Sequence, residues 1–408
     1  MKVVHLNTTD RGGAARASLR LHQGLIESGV ESRFVVKHRS SEIPGVTEIQ
    51  PGTPARQNRL SKYLQNQIRW HRKKKSAAAV AARVLISDCR CDFRPRHFLD
   101  LAQADIYQLH WVANFLDWPT TLPWLAERAP IVWRLPDLYA CSGTFHYQPD
   151  ENVLNSTLKS WDQRVRKIKL RALASIDSDR LVVVGPSNWT AERSRRSDIL
   201  GRFQTQVISN ALNTDFFAPI DKREARVALG LEADAAVVGF ICEDLMDPRK
   251  GVAAAMKSLQ NEIEDDVILL SAGSGSGESS GSARSNNVNL GFLKTEYELR
   301  LFYSALDVFV MPSLQESFGQ TCLEALACAT PVVAFKSGGI PDMVRPGVSG
   351  CLVTSGDFEA LGRTVMEVLE RPEELASLSE GSRALAVAEF DSKLQARQYL
   401  KLYESLIS

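Results

Sequence analysis

Short apolar runs alternate with amphipathic stretches along most of this chain. Residues 2–7 form an apolar run of strand length, and a glycine turn (Arg11-Gly12-Gly13-Ala14-Ala15) leads into an amphipathic helix over 16–28. Gly29 stops that helix, and 32–37 reads as the next strand. Strand, helix, strand in that order predicts a βαβ unit and hence a parallel sheet. Strand patterns return at 104–112, 131–135, 181–185 and 207–209. A second series begins with a helix over 222–229. Strands follow at 236–242, 267–272, 288–290, 308–311 and 332–335, with helices at 251–260, 295–305, 320–329 and 358–369 and a terminal helix over 380–408. Residues 273–287, rich in Gly and Ser, read as a flexible loop.

A chain of 408 residues exceeds one ordinary core and suits two α/β domains. The pattern divides it into 1–210, 211–385 and a terminal helix over 386–408. Residues 51–98 interrupt the alternation as a basic helical insert. There Arg56, Arg59, Lys62, Arg69, Arg72 and Lys73 to Lys75 interleave with Tyr63, Leu64, Ile68 and Trp70. Such a pattern fits a solvated helical face, or contact of 56–75 with an anionic membrane surface or a lipid-linked acceptor.

Net charge changes the picture little: at +1 nothing draws the whole chain to nucleic acid. The N-terminus enters a strand without a leader pattern, and no window approaches a membrane span. Seven scattered cysteines point to a reducing compartment. The expected location is therefore cytoplasmic, with the basic insert allowing peripheral contact at the inner face of a membrane. Cys89-x-Cys91 beside His97 is too tightly spaced for a structural zinc pair. Asp177-Ser178-Asp179 precedes a strand, where a metal-holding pair would follow one, so no metal and no cofactor are predicted.

The chemistry concentrates in Glu316-Ser317-Phe318-Gly319-Gln320-Thr321-Cys322-Leu323-Glu324. It lies between the strands at 308–311 and 332–335, the second followed by Gly338-Gly339. Ligands bind at the carboxyl edge of such sheets. A helix starting near Gln320 aims backbone N–H groups at that edge, which suits phosphate. Glu324, about 6 Å further along the axis, suits a vicinal diol such as ribose. Glu316 would face a second polyhydroxyl group. The plain alternative for either carboxylate is a helix cap or dipole partner. Adjacent cations in Asp247-Pro248-Arg249-Lys250-Gly251 suit a diphosphate, or simply an exposed turn.

These residues carry a resemblance. The carboxylate pair resembles the Glu-x7-Glu motif of the family 4 retaining glycosyltransferases, group 1 type, and 337–353 is similar to the segment that follows it in that family. The resemblance implies a GT-B-like α/β fold, with two doubly wound, Rossmann-like parallel-sheet domains facing a central cleft. It implies a sugar moved with retention from a UDP- or GDP-linked donor to a saccharide or lipid-linked acceptor, and cell-surface polysaccharide or glycoconjugate synthesis as the setting. Lys250 takes the donor phosphate, with Arg249 in place of the usual arginine, whose position holds Leu245. Ser317, Phe318, Gly319, Gln320 and Glu324 complete the donor site, and Glu316 with Lys250 serves catalysis. Gly12, Gly13 and Asp137 form the loop facing donor phosphate or acceptor. Pro136 stands where relatives carry a sugar-contacting histidine, so that role passes to Asp137, His110 or His146. Two other readings stay open: a non-catalytic subunit that binds a partner transferase, and a sugar-nucleotide epimerase on the same fold.

Overall fold

The computed structural model describes residues 1–49, 77, 79, 84–262, 266–275 and 286–407. The basic stretch 56–75 and most of the Gly/Ser-rich loop lie outside the described residues. The chain divides into two compact units, Met1–Ile208 with Ala396–Ser408, and Ser209–Gln395. The terminal segment therefore joins the first unit from Ala396, rather than from 386.

The first unit is built on a parallel sheet of β1 (Lys2–Thr9), β2 (Glu31–His38), β3 (Val46–Glu48), β4 (Ile106–Leu109), β5 (Ile131–Arg134), β6 (Leu181–Gly185) and β7 (Gln204–Val207). Their spatial order is β3-β2-β1-β4-β5-β6-β7. Its helices among the described residues include α1 (Gly13–Glu27), α2 (Trp118–Ala126), α3 (Ser156–Ala174) and α4 (Asn188–Arg195). Neither α2 nor α3 is predicted by the sequence pattern. α2 is a nine-residue helix rich in tryptophan and proline, with too little polar contrast between its faces to announce a helix, and α3 is dominated by basic side chains.

The second unit holds β8 (Ala236–Asp244), β9 (Val267–Ser274), β10 (Asn287–Asn289), β11 (Val308–Met311), β12 (Val332–Phe335) and β13 (Gly350–Val353). These pair in parallel in the order β10-β9-β8-β11-β12-β13. Its helices are α5 (Lys222–Ala228), α6 (Val252–Glu262), α7 (Glu296–Ala305), α8 (Gln320–Ala327), α9 (Phe358–Leu369) and α10 (Pro372–Glu389). The central strands are buried on both faces, which is why they read as unbroken apolar runs. Their side chains still alternate. Phe309, Met311, Val332 and Ala334 enter one core layer with α8, while Val308, Val310, Val333 and Phe335 enter the other with α6 and α9. The single terminal helix expected over 380–408 is two helices, α10 and α11 (Ser392–Ile407). Asp391 divides them: its carboxylate accepts the Thr214 hydroxyl at 2.5 Å and the Lys393 N–H at 2.8 Å.

Each sheet reverses strand order at one place, β1/β4 in the first and β8/β11 in the second. In doubly wound sheets the crevice at the carboxyl ends of such a pair is where ligands bind.

His110 does not face an open edge. It lies in a buried cluster with His5, His22 and Phe34, below the solvent-accessible surface. Arg134 Nη1 can only donate, so at 3.5 Å it assigns His110 Nδ1 as an acceptor. His110 Nε2–H then donates to His5 Nδ1 at 2.9 Å. Burial pushes all three imidazoles down, His22 to about 4, with neighbouring imidazoles and Arg134 adding repulsion for His110. A histidine whose folded pKa lies below its unfolded value of about 6.5 stabilises the fold fully above that value. The contribution is lost as pH falls through 6.5 toward the folded value, amounting to about 3 kcal/mol for His22 over its whole range. We expect amides of β1 and α1 to lose hydrogen-exchange protection, after correction for intrinsic rate, between pH 7.5 and 5. Unchanged protection over that interval would contradict the neutral cluster.

Candidate functional site

In the second unit three loops meet at the β8/β11 carboxyl edge. The turn after β8 carries Asp247 to Gly251. Gly251 has φ +67°, and a Cβ there would lie 2.3 Å from the Pro312 carbonyl oxygen, so only glycine lets this turn close on the end of β11. The Leu314 N–H donates to the Arg249 carbonyl at 2.9 Å, joining the two loops. The turn after β12 adds a third layer. The Gly339 N–H donates to the Glu316 carbonyl at 2.9 Å, and the Ser337 hydroxyl to that of Ser313 at 2.6 Å.

This stitching brings Lys250 and Glu316, 66 residues apart, into contact: Nζ lies 2.5 Å from Oε2. The two side chains keep 25% and 14% of their exposure, so the pair sits at the wall of the protein, reachable but largely dry. Burial raises the Glu316 carboxyl. The Lys250 ammonium, then Arg249 and the Ser317 N–H, outweigh it and hold the group below the usual carboxylate range. Glu316 is thus an ionised acceptor beside a cation.

Arg249 has a structural occupation. Its guanidinium donates to the Asp247 carboxylate at 3.0 Å and to the Gln315 carbonyl at 3.2 Å, bracing the two loops beside the Lys250–Glu316 pair. Gly319, at φ +104°, caps α8, and the first bond of the helix runs from Leu323 N–H to the Gly319 carbonyl at 3.2 Å. The N–H groups of Gln320, Thr321 and Cys322 precede that ladder. The Phe318 side chain turns inward, its ring 6.1 Å from that of Phe390, so what Phe318 offers at the edge is backbone. Ser317 is likewise buried.

Glu324 lies on the core side of α8 with no exposed surface. The Tyr303 hydroxyl of α7 donates to Oε2 at 3.0 Å. Tyr303 escapes sequence reading: within its helix it looks like one more apolar position, and no local signal marks its hydroxyl as the partner of a carboxylate 21 residues on.

The remaining predicted residues belong to the first unit. Gly12 caps α1 at φ +86°, and neither Gly12 nor Gly13 has any atom within 4 Å of a would-be Cβ, so this loop is open. Asp137 follows β5 but is buried and engaged. Its carboxylate lies 2.5 Å from His146 Nδ1, accepts the Trp111 indole N–H at 2.9 Å, and accepts the Tyr139 N–H at 2.9 Å. None of these partners is Gly12 or Gly13. His146 Nε2 is itself 2.8 Å from the Ser87 hydroxyl. Both histidines considered as replacements for the residue at Pro136, His110 and His146, are internal.

Residues 223–385 match the family described as glycosyl transferases group 1. The second unit is a group 1 glycosyl transferase domain. The whole chain has the GT-B fold. It aligns with sucrose-phosphate synthase from Thermosynechococcus elongatus over 99% of this chain and 98% of that one, at TM-score 0.69 and 20% identity. Anabaena HepE, solved in complex with UDP and glucose, aligns over 99% and 100% at TM-score 0.68 and 18% identity. Among curated relatives, the D-inositol 3-phosphate glycosyltransferase of Thermobispora bispora is 27% identical over 92% of this chain and 86% of its own length. That of Saccharomonospora viridis is 35% identical over 53% and 57%. The matched family segment contains every donor-site residue named above from Arg249 to Glu324. No helix among the described residues is long and apolar enough to cross a membrane.

Proposed function

We propose that this glycosyltransferase moves a sugar, with retention of anomeric configuration, from a nucleoside diphosphate sugar to a hydroxyl acceptor. The observation that carries the reading is the Lys250–Glu316 contact at the β8/β11 switch point. When the glycosidic bond to the diphosphate breaks, negative charge grows on the leaving oxygen. Fixed positive partners lower the energy of that state more than that of the bound donor. Lys250 supplies one, with Arg249 beside it and the first-turn N–H groups of α8 adding partial charge. The diphosphate draws the ammonium toward itself, and Glu316, still ionised, turns to accept hydroxyl groups of the donor sugar.

Glu324 takes the ribose diol in this scheme. Because it is buried and held by Tyr303, the diol must reach it through the first turns of α8, displacing or sharing the tyrosine hydroxyl. The acceptor is assigned as a saccharide or lipid-linked hydroxyl, and the names of the curated relatives add a cyclitol phosphate. Polysaccharide or glycoconjugate synthesis at the cytoplasmic side of a membrane is the setting that suits such substrates.

The test is nucleoside diphosphate release from a panel of UDP-, GDP- and ADP-sugars with pooled hydroxyl acceptors, followed by determination of the product's anomeric configuration. We expect release with one donor class and a product matching the donor's anomer. An inverted product removes retention alone. No release with any donor, together with no thermal shift from any nucleotide sugar, removes the transferase reading and leaves the non-catalytic subunit.

A further inference from the structure

The first unit carries a second candidate site, remote in sequence from the donor-site residues of the second unit. Helix α3 holds six cations (Lys159, Arg164, Arg166, Lys167, Lys169 and Arg171) against one carboxylate, Asp162, in a chain whose net charge is only +1. Two of those cations have internal work. Arg166 pairs with Asp198 at 2.7 Å. Lys169 is buried, donating to the Tyr139 and Ser142 carbonyls with its ammonium 3.4 Å from the Tyr139 ring centroid. Arg164, Lys167 and Arg171 remain on the outer face and are exposed. Their spacing of three and four places them in one row, about 10 Å long at 1.5 Å per residue.

This row is one wall of a groove of about 380 Å³, with Arg90 lining it too and Ser160 and Gln163 beside the cations. No carboxylate stands among its described lining residues. Of the nearby carboxylates, Asp162 accepts the Thr144 N–H at 2.6 Å, and Asp88 accepts the backbone N–H of Arg90 at 3.0 Å. Four like charges around one concavity repel each other, and a native surface ordinarily intersperses both signs.

We propose that this groove binds an acidic glycan, a chain with carboxylate, sulfate or phosphate groups on successive sugars. The row of cations meets repeated anions, while Ser160 and Gln163 offer neutral hydrogen bonds to the hydroxyls between them. A single-stranded nucleic acid fits less well, because none of the described lining residues is aromatic to serve as a stacking platform. A membrane surface fits less well too. The groove is concave, and Ile168, the one apolar side chain among its described lining residues, is packed partly into the core. The transferase reading enters only in favouring a glycan among polyanions. Binding is the readout, so this proposal and that reading fail separately.

The experiment is fluorescence anisotropy of the full-length protein with a labelled oligogalacturonate of eight sugars, against its fully methyl-esterified counterpart, single-stranded DNA of equal charge, and vesicles containing anionic lipid. Wild type is expected to bind the charged oligosaccharide best, with affinity falling steeply with salt. The triple variant Arg164→Gln, Lys167→Gln, Arg171→Gln should lose roughly tenfold or more at low salt and show a flatter salt dependence. The three positions are exposed and glutamine is a good helix former, so the variant should keep its circular dichroism and its thermal response to nucleotide sugar. Equal binding by the triple variant, equal binding of the methyl ester, or tighter binding of DNA or vesicles than of the oligosaccharide would each overturn the proposal.

Discussion

Replacing Lys250 by alanine is expected to lower kcat/KM for the best donor by roughly a hundred- to a thousandfold, the usual effect of deleting one fixed partner of a developing anion. The same change leaves the Glu316 carboxylate, 14% exposed, without its closest cation. Burial then dominates and raises its pKa. Breaking a fully buried pair costs about 3–5 kcal/mol. With both partners partly exposed we expect a smaller loss of stability, about 1–2 kcal/mol. The two effects separate in the double variant Lys250→Ala, Glu316→Gln. It carries no orphaned charge, so it should regain most of the lost stability and none of the lost rate. Steady-state nucleotide release and thermal melting measure both. A Lys250→Ala enzyme within threefold of wild type would show that this lysine is merely the partner of Glu316.

The second large effect is expected at Gly338. Its φ is +53°, and a Cβ there would lie 1.8 Å from the Glu316 carbonyl oxygen, the same oxygen that accepts the Gly339 N–H. Gly338→Ala therefore combines left-handed strain of about 1–2 kcal/mol with an overlap that only backbone movement relieves, commonly another 1–3 kcal/mol. For a domain of this size, 1 kcal/mol moves the midpoint by about 2–4 °C, so a drop of roughly 10 °C is expected. Because the displaced atom belongs to Glu316, activity should fall more than a hundredfold at temperatures where the variant remains folded. Gly347 provides the control. It has φ +75° and no atom within 4 Å of a would-be Cβ. Gly347→Ala should show the strain alone, a few degrees, with near-normal turnover. Equal behaviour of the two variants would mean that the third loop does not position Glu316.

Much of the fold was legible because parallel sheets advertise themselves. The strands Leu181–Gly185, Val308–Met311 and Val332–Phe335 are continuous apolar runs bounded by turn residues, and each is buried on both faces. What escaped was whatever local pattern does not encode. β3 has three residues and owes its pairing to β2. α2 carries a proline inside and little amphipathic contrast. The break between α10 and α11 has no glycine or proline to announce it, because Asp391 is held by Thr214, 177 residues away.

The candidate site divides along the same line. Sequence alone determined which residues stand at the carboxyl edge of the second sheet. A strand's end and a helix's start are local events, written in apolar runs, glycines and the two spaced carboxylates. Only the tertiary structure decided what those residues touch: that Lys250 meets Glu316, that Arg249 braces loops, that Tyr303 holds Glu324, and that Asp137 is spent on His146 and Trp111. Those pairings depend on which turns close against each other. Close approach of backbones at Gly251 and Gly338, between segments far apart in the chain, sets them, and no local period carries that information.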